Sequence, residues 1–298
     1  MKRENGIVTL SFDCEGRWGM ADRHHAWLSE LTTNNLTEVY EYILDTLEKY
    51  NIAATFAFVG ALTETKEDFL NRSLPVLTGT NHQKWVKPIL NSINTDEGWF
   101  IPEVFELVKN NSMHECASHG YTHTPFTYLD SKEFITEMNL IKQWSLDKEI
   151  QCKTLIYPRN EVNYSEHIKD YGIKLYRSPP KSSNIKKFPK FINSFFDELN
   201  ILKNSEALDK DGGAIPGGVF INWKFGPRKL IPNMISNLKY KNILRNAVKN
   251  NNIAHFWTHP HNFITAPESK KIFEQLCQQI SKKVDSNQIE VRRQEDFI

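Results

Sequence analysis

Short apolar runs alternate with amphipathic stretches along almost the whole chain. Ile7 to Phe12 is a largely apolar run that reads as a buried strand. Leu36 to Tyr50 follows, where Leu36, Val39, Tyr40, Ile43, Leu44 and Leu47 recur at helical spacing, with Asn34 or Asn35 as the N-cap. Ala53 to Val59 reads as a compact buried strand closed by Gly60, Val104 to Lys109 as a short helix, and His114 to Ser118 as another strand. Lys132 to Leu146 predicts a helix with Phe134, Ile135, Met138, Ile141 and Leu146 on its inner side. The alternation continues through a strand at Thr154 to Tyr157, a helix around His167 to Tyr171 and a strand at Ile173 to Tyr176. It ends with a helix at Pro232 to Lys249, a strand at Ile253 to Trp257, a helix at Ser269 to Lys283 and a last short strand at Ile289 to Val291. Such repetition predicts an α/β fold with a parallel sheet. Over 298 residues the expected form is a distorted (β/α) barrel of parallel strands, with residues 1–298 as a single catalytic domain.

Two segments break the rhythm. Thr63 to Phe100 carries Pro75, Gly79, Pro88, Gly98 and several Asn; it is too long for an ordinary connection and is expected to be a lid or substrate loop. Ser178 to Gly218 opens on Pro179-Pro180 and Lys186-Lys187 and closes on Gly212-Gly213 and Gly217-Gly218, with a short helix expected around Asp197 to Leu202. These lengths predict a covered, selective pocket in place of an open polymer groove.

Composition narrows the class of partner. Lys and Arg number 37 against 36 Asp and Glu, and the formal charge of +1 gives no footing for nucleic acid or an acidic membrane. No stretch approaches the roughly 18 consecutive apolar residues of a spanning helix. The start, Met1 to Gly6, has no apolar leader and runs into a core strand, so a cytoplasmic location is expected. Cys14, Cys116, Cys152 and Cys277 show no dense spacing and read as free thiols, with a Cys14–Cys116 pair as the lesser alternative.

The chemistry-bearing residues cluster just after predicted strands. In sheets of parallel strands the carboxyl ends share one face, where ligands bind, so residues distant in sequence meet there. Asp13 and Glu15 follow the first strand, and residues two apart in an extended chain point the same way. Both carboxylates can therefore face one cavity, one binding a metal and one acting as a base, while Cys14 points elsewhere. A helix cap or a buried ion pair would explain the two acids equally well. His119 and His123, at HxxxH spacing in a segment that Gly120 and Pro125 mark as a turn, offer two imidazoles that suit zinc, iron, cobalt or nickel. Taken alone, such a pair more often caps or decorates a surface. His259 follows a very apolar strand and is placed to give a proton to a leaving amine, whereas His261 can equally be a structural histidine bound to a carbonyl. His255 reads as core or as a support behind the site. Trp18, Trp99 and Trp223 are candidates for an apolar sugar-stacking wall, with Tyr121 and His261 as further candidate substrate contacts.

Four motifs in this order resemble the NodB-homology polysaccharide deacetylases, a carbohydrate esterase type. They are Ser11-Phe12-Asp13-Cys14-Glu15-Gly16, Ser118-His119-Gly120-Tyr121-Thr122-His123, Tyr157-Pro158-Arg159-Asn160 and Thr258-His259-Pro260-His261, spread over roughly residues 7 to 265. The resemblance implies that Asp13 is the catalytic base, His119 and His123 are metal ligands, Arg159 orients the base and His259 is the general acid. It also implies that backbone N–H groups after His123 help to hold the oxyanion. Where most members have adjacent aspartates, this chain has Asp13-Cys14-Glu15 and resembles the branch with one residue between two acids. Glu15 is then the third ligand, with Cys14 a lesser alternative. A late aromatic and aspartate motif of the family is represented at most by Asn222-Trp223.

The implied activity is metal-dependent hydrolysis of a carbon–nitrogen amide bond, N-deacetylating an amino sugar in surface polysaccharide or O-antigen biosynthesis. One divalent ion is implied, zinc first and nickel, cobalt or iron as alternatives. The expected substrate is nucleotide-linked or lipid-linked, and self-association to a homo-oligomer is left open. The rival readings are a deformylase or cyclic amide hydrolase with the same ligands, and an inactive sugar-binding protein on the same barrel.

Overall fold

The first strand, β1 (Gly6–Cys14), is buried at all nine of its positions, including Thr9, Ser11 and Asp13, which alternate along one face. The computed structural model describes residues 5–22, 26–73, 80–92, 97–181, 190–208 and 213–298. Eight further strands are described: β2 (Thr55–Phe58), β3 (Glu115–Ser118), β4 (Thr154–Leu155), β5 (Leu175–Arg177), β6 (Ala214–Ile215), β7 (Val219–Phe220), β8 (Ile253–Thr258) and β9 (Ile289–Val291). All pair in parallel, in the order β6-β5-β4-β3-β2-β1-β8-β7. β9 pairs with Gly6 to Val8 of β1, below the stretch Ser11 to Cys14 that pairs with β2.

β6 and β7 stand at opposite ends of this order, yet only Pro216-Gly217-Gly218 separates them. A chain advances at most about 3.6 Å per residue, so the two edges lie close together. One interrupted segment thus pairs first with β5 and then with β8, and the sheet curls into a distorted (β/α) barrel. Neither short strand carries a long enough apolar pattern to be read from sequence.

The helices are α1 (Thr33–Lys49), α2 (Lys66–Ser73), α3 (Thr80–Ser92), α4 (Pro102–Lys109), α5 (Ser131–Asp147), α6 (Lys190–Leu199), α7 (Asn233–Asn250), α8 (Asn262–Thr265) and α9 (Ser269–Asp285). α1 is capped by Thr32, whose hydroxyl accepts from the Asn35 N–H, so Asn34 and Asn35 lie inside the first turn and are not the cap. α5 opens on a reciprocal capping box between Asp130 and Glu133. Phe134, Met138 and Ile141 of α5 are buried as expected, but Ile135 and Leu146 are 47% and 61% exposed and lie off its inner stripe.

Thr63 to Phe100, expected as a lid or substrate loop, carries α2 and α3; its residues 74–79 and 93–96 lie outside the described residues. In Ser178 to Gly218 the helix is α6, starting earlier than Asp197; Lys186-Lys187 and Gly212 lie outside the described residues. All four cysteines are free thiols, and among the described residues no helix is long and apolar enough to cross a membrane.

Candidate active site

Glu15, His119 and His259 each follow the last residue of a strand, and Arg177 ends β5, so the barrel delivers all four to the carboxyl face of the sheet. Alternation in β1 turns Asp13 and Glu15 to this face and Cys14 away from it. The Cys14 thiol donates to the Phe12 carbonyl within the core, which removes it as a ligand.

Three imidazole nitrogens converge on one carboxylate oxygen. Glu15 Oε1 lies 3.0 Å from His119 Nε2, 3.1 Å from His123 Nε2 and 3.5 Å from His259 Nε2. The Nδ1–H of His119 donates to the Ile156 carbonyl at 2.8 Å, so a neutral His119 presents an Nε2 lone pair to a carboxylate oxygen. Two acceptors facing each other in a buried site make sense with a cation between them. Two imidazoles and one carboxylate, all buried, form a donor set that suits a divalent transition ion. Burial, the largest influence on Glu15, would raise its carboxyl. The His259 and His123 charges outweigh it and hold the group well below the usual carboxylate range. Burial lowers His123, whereas Glu15 and Asp13 overcome burial at His259 and raise it.

Asp13 is bound on both oxygens by one guanidinium, with Arg177 Nη1 donating to Oδ1 at 2.8 Å and Nη2 to Oδ2 at 2.7 Å. The arginine that holds Asp13 is therefore Arg177, and the expectation for Arg159 is corrected. Arg159 sits at φ 59° in the turn after Pro158, which carries its side chain to Asp22 and over the Trp85 ring. Its neighbour Asn160 turns inward instead and accepts from Arg177 Nη2 at 2.8 Å. Burial alone would push the Asp13 carboxyl up, but Arg177, His119 and His259 keep it ionised below its ordinary value. Arg177 lies 4.4 Å over the Trp257 ring and donates to Ser11 Oγ. Ser11 in turn faces His255 Nε2 at 2.9 Å, and His255 Nδ1–H donates to the Pro216 carbonyl. His255 is thus a neutral buried support, its pKa pushed to about 3 by burial and by Arg177.

His259 is oriented by Asn262, whose side-chain amide lies 3.3 Å from its Nδ1 and leaves Nε2 toward Glu15. His261 stacks on the other side of His259, with ring centroids 4.9 Å apart, and burial together with the His259 charge pushes its pKa to about 3. Among the four candidate substrate contacts, Trp223 and His261 line a cleft of about 680 Å³ beside His259. The other two are corrected. Trp18 is fully buried, donates to the Trp99 carbonyl and packs on Phe69, Trp99 and Phe100, so it belongs to the core with Trp99. Tyr121 is equally buried and gives its hydroxyl to Glu64. The N–H of Thr124, directly after His123, points at the Thr122 hydroxyl, and Pro125 has none.

Three supports escape a reading of the sequence. Arg177 has a signal, since it ends a strand and precedes Ser178-Pro179, but Arg159 carries a similar one. Glu137 of α5 is fully buried; its Oε1 accepts from the Tyr121 and Thr122 N–H groups, and its Oε2 from the Thr122 hydroxyl and faces His82. It thereby fixes the turn between the two histidines, which Gly120 enters at φ 78°. Gly19 leaves room for Glu15, because a Cβ there would stand 2.0 Å from Glu15 Oε2. Gly19→Ala is expected to weaken metal binding at least about tenfold by displacing that carboxylate, with the far-ultraviolet dichroism unchanged. Calorimetric zinc titration of both proteins checks this, and equal affinities would remove Glu15 from the ligand set.

Parallel strands curled into a distorted barrel, with acids and histidines gathered at their carboxyl ends, define a hydrolase-like α/β scaffold. The family model described as polysaccharide deacetylase matches residues 4–165, more than half of the chain. The chain belongs to that family, and its fold is the family's. No match is found among curated protein sequences. Among solved structures, a Mycobacterium smegmatis protein assigned to the polysaccharide deacetylases superposes with a TM-score of 0.51 at 13% identity, covering 98% of this chain and 94% of that one. A family 4 carbohydrate esterase from Streptomyces lividans, in complex with acetate, gives 0.45 at 12% identity over 94% and 91%. A pseudoenzyme of the same esterase family from Bacillus anthracis gives 0.47 at 14% identity over 99% and 66%.

Proposed function

We propose that this chain is a metal-dependent hydrolase that removes an N-acyl group, N-acetyl first, from an amino sugar. The observation that carries the reading is the juxtaposition of a convergent ligand set, Glu15, His119 and His123, with an ionised Asp13 and a partly exposed His259. Held by those three residues, a divalent ion supplies Lewis acidity toward water and toward an amide carbonyl, with zinc the first candidate. Asp13, kept ionised by Arg177, accepts the proton of the attacking water. His259, whose Nε2 lies across Glu15 from the ligand pair, gives a proton to the departing amine; Asn262 holds the ring in that orientation. Trp223 and Phe220 offer flat apolar faces in the adjoining cleft, of a size for one or two sugar rings. A cytoplasmic substrate linked to a nucleotide or a lipid, made for a surface polysaccharide such as O-antigen, agrees with a bounded cleft.

Metal analysis of wild type, His119→Ala and His123→Ala tests the reading. Near one equivalent in wild type, lost in both variants, is expected, with acetate release from amino-sugar derivatives that chelation and Asp13→Ala abolish. A metal-free wild type, or a metal-loaded protein that binds sugar without turnover, would overturn it in favour of a binding protein.

A further inference from the structure

The cleft beside His259 is lined by several charged side chains, and all but one are already matched. Arg159 is paired with Asp22, Lys181 with Glu206 at 2.7 Å, and Lys203 with Asp197 at 3.1 Å. Glu198 is buried and bound by Lys239 Nζ at 3.0 Å and by the Ser236 hydroxyl at 2.5 Å. Arg228 is the exception: among the described residues no carboxylate or carbonyl accepts from its guanidinium. It lies instead against two rings of the same wall, 5.2 Å from the centroid of Phe220 and 5.9 Å from that of Trp223. Phe220 in turn touches His259, with centroids 5.6 Å apart. The unmatched cation therefore stands one aromatic ring away from the group assigned to the leaving amine.

A half-buried guanidinium without a partner is costly to keep, because desolvation is not offset by a charge-assisted bond. Burial does pull Arg228 below its ordinary pKa, with Glu198 and Asp197 opposing only through space. Arginine stacked on aromatic faces keeps its edge donors free, and that planar fork matches the oxygens of a phosphate. We propose that Arg228, backed by Phe220 and Trp223, is an anion subsite that binds a phosphate carried by the substrate about one sugar ring from the reacting amide. Asp197 and Glu198 nearby are already neutralised by Lys203 and Lys239, so they do not bar an anion from Arg228. The inference rests on the amino-sugar reading above for its substrate, but the subsite stands on its own geometry.

The test compares binding of N-acetylglucosamine 1-phosphate and of N-acetylglucosamine to the metal-loaded wild type, Arg228→Gln and Arg228→Lys, by calorimetry. The phosphorylated sugar is expected to bind wild type at least about tenfold more tightly. Arg228→Gln should abolish that preference without weakening the neutral sugar, and Arg228→Lys should restore part of it. The metal itself attracts phosphate, but a preference arising there would survive in Arg228→Gln. Equal binding of the two sugars, or a preference retained in Arg228→Gln, overturns the subsite. Acetate release from a nucleoside diphosphate sugar and from a short polyprenyl diphosphate sugar then distinguishes the source of the phosphate. An Arg228-dependent preference without acetate release would sink the hydrolase reading and leave the subsite. Release from neutral sugars that is indifferent to Arg228 would do the reverse.

Discussion

Arg177→Met is expected to cost about 3–5 kcal/mol of stability, because it strands Asp13 as an unpaired charge that is 1% exposed. Both carboxylate oxygens lose their donor at once, and Asn160 and Ser11 lose the group that joins them. Deacetylation should fall by about 10²-fold or more, since a base displaced by an ångström no longer meets the water it must deprotonate. The double variant Asp13→Asn/Arg177→Met separates the two effects. It removes the stranded charge, so urea denaturation should show most of the stability recovered while activity stays absent. Arg159→Met is the control. Its pair with Asp22 is partly exposed, and its loss should cost about 1 kcal/mol or less. A larger penalty at Arg159 than at Arg177 would return the base-holding role to Arg159.

Glu137→Ala is expected to have the second largest effect, although Glu137 touches no ligand candidate directly. Removing the carboxylate leaves the Tyr121 and Thr122 backbone N–H groups and His82 Nε2 without their partner in the interior, while the Thr122 hydroxyl keeps Thr124. Each such orphan costs about 1–3 kcal/mol, partly relieved by relaxation, so a loss of about 3–5 kcal/mol is expected. The turn that sets His123 against His119 should loosen and lower metal affinity by about 10- to 100-fold. Glu137→Gln keeps one carbonyl oxygen for the Tyr121 and Thr122 amides and should lie between alanine and wild type. Zinc titration and urea denaturation measured on the same samples check both. Full affinity in Glu137→Ala would show that the turn holds itself.

His82, which faces Glu137 across 3.2 Å, comes from α3, in the segment whose length suggested a lid. That expectation rested on the length of the segment and on its Pro, Gly and Asn residues. Among the described side chains of α2 only Phe69 is buried, so its apolar pattern is weak. The described part of the segment supports the histidine turn, and among the described residues it gives no side chain to the cleft beside His259. The segment Ser178 to Gly218 does the opposite, lending Pro179, Lys181, Asp197 and Glu198 to the cleft wall.

What the sequence determined by itself was whatever depends on near neighbours. β1 and β8 are largely apolar runs and read as buried strands, and the residues directly after them stand at the carboxyl face. Alternation put Asp13 and Glu15 on one side and Cys14 on the other, and HxxxH in a glycine-marked turn kept His119 and His123 together. The tertiary structure alone decided which of two arginines, Arg159 directly after Pro158 or Arg177 two residues before Pro179, reaches Asp13. The left-handed backbone at Arg159 turns that side chain outward, while Arg177, the last residue of β5, faces in. It likewise decided that Trp18 and Tyr121 pack in the core, that Glu137 from a distant helix fixes the histidine turn, and that Gly19 makes way for Glu15. Periodicity reports which face of an element is buried. Which partner waits on that face depends on how the elements close around one another, and no local pattern records it.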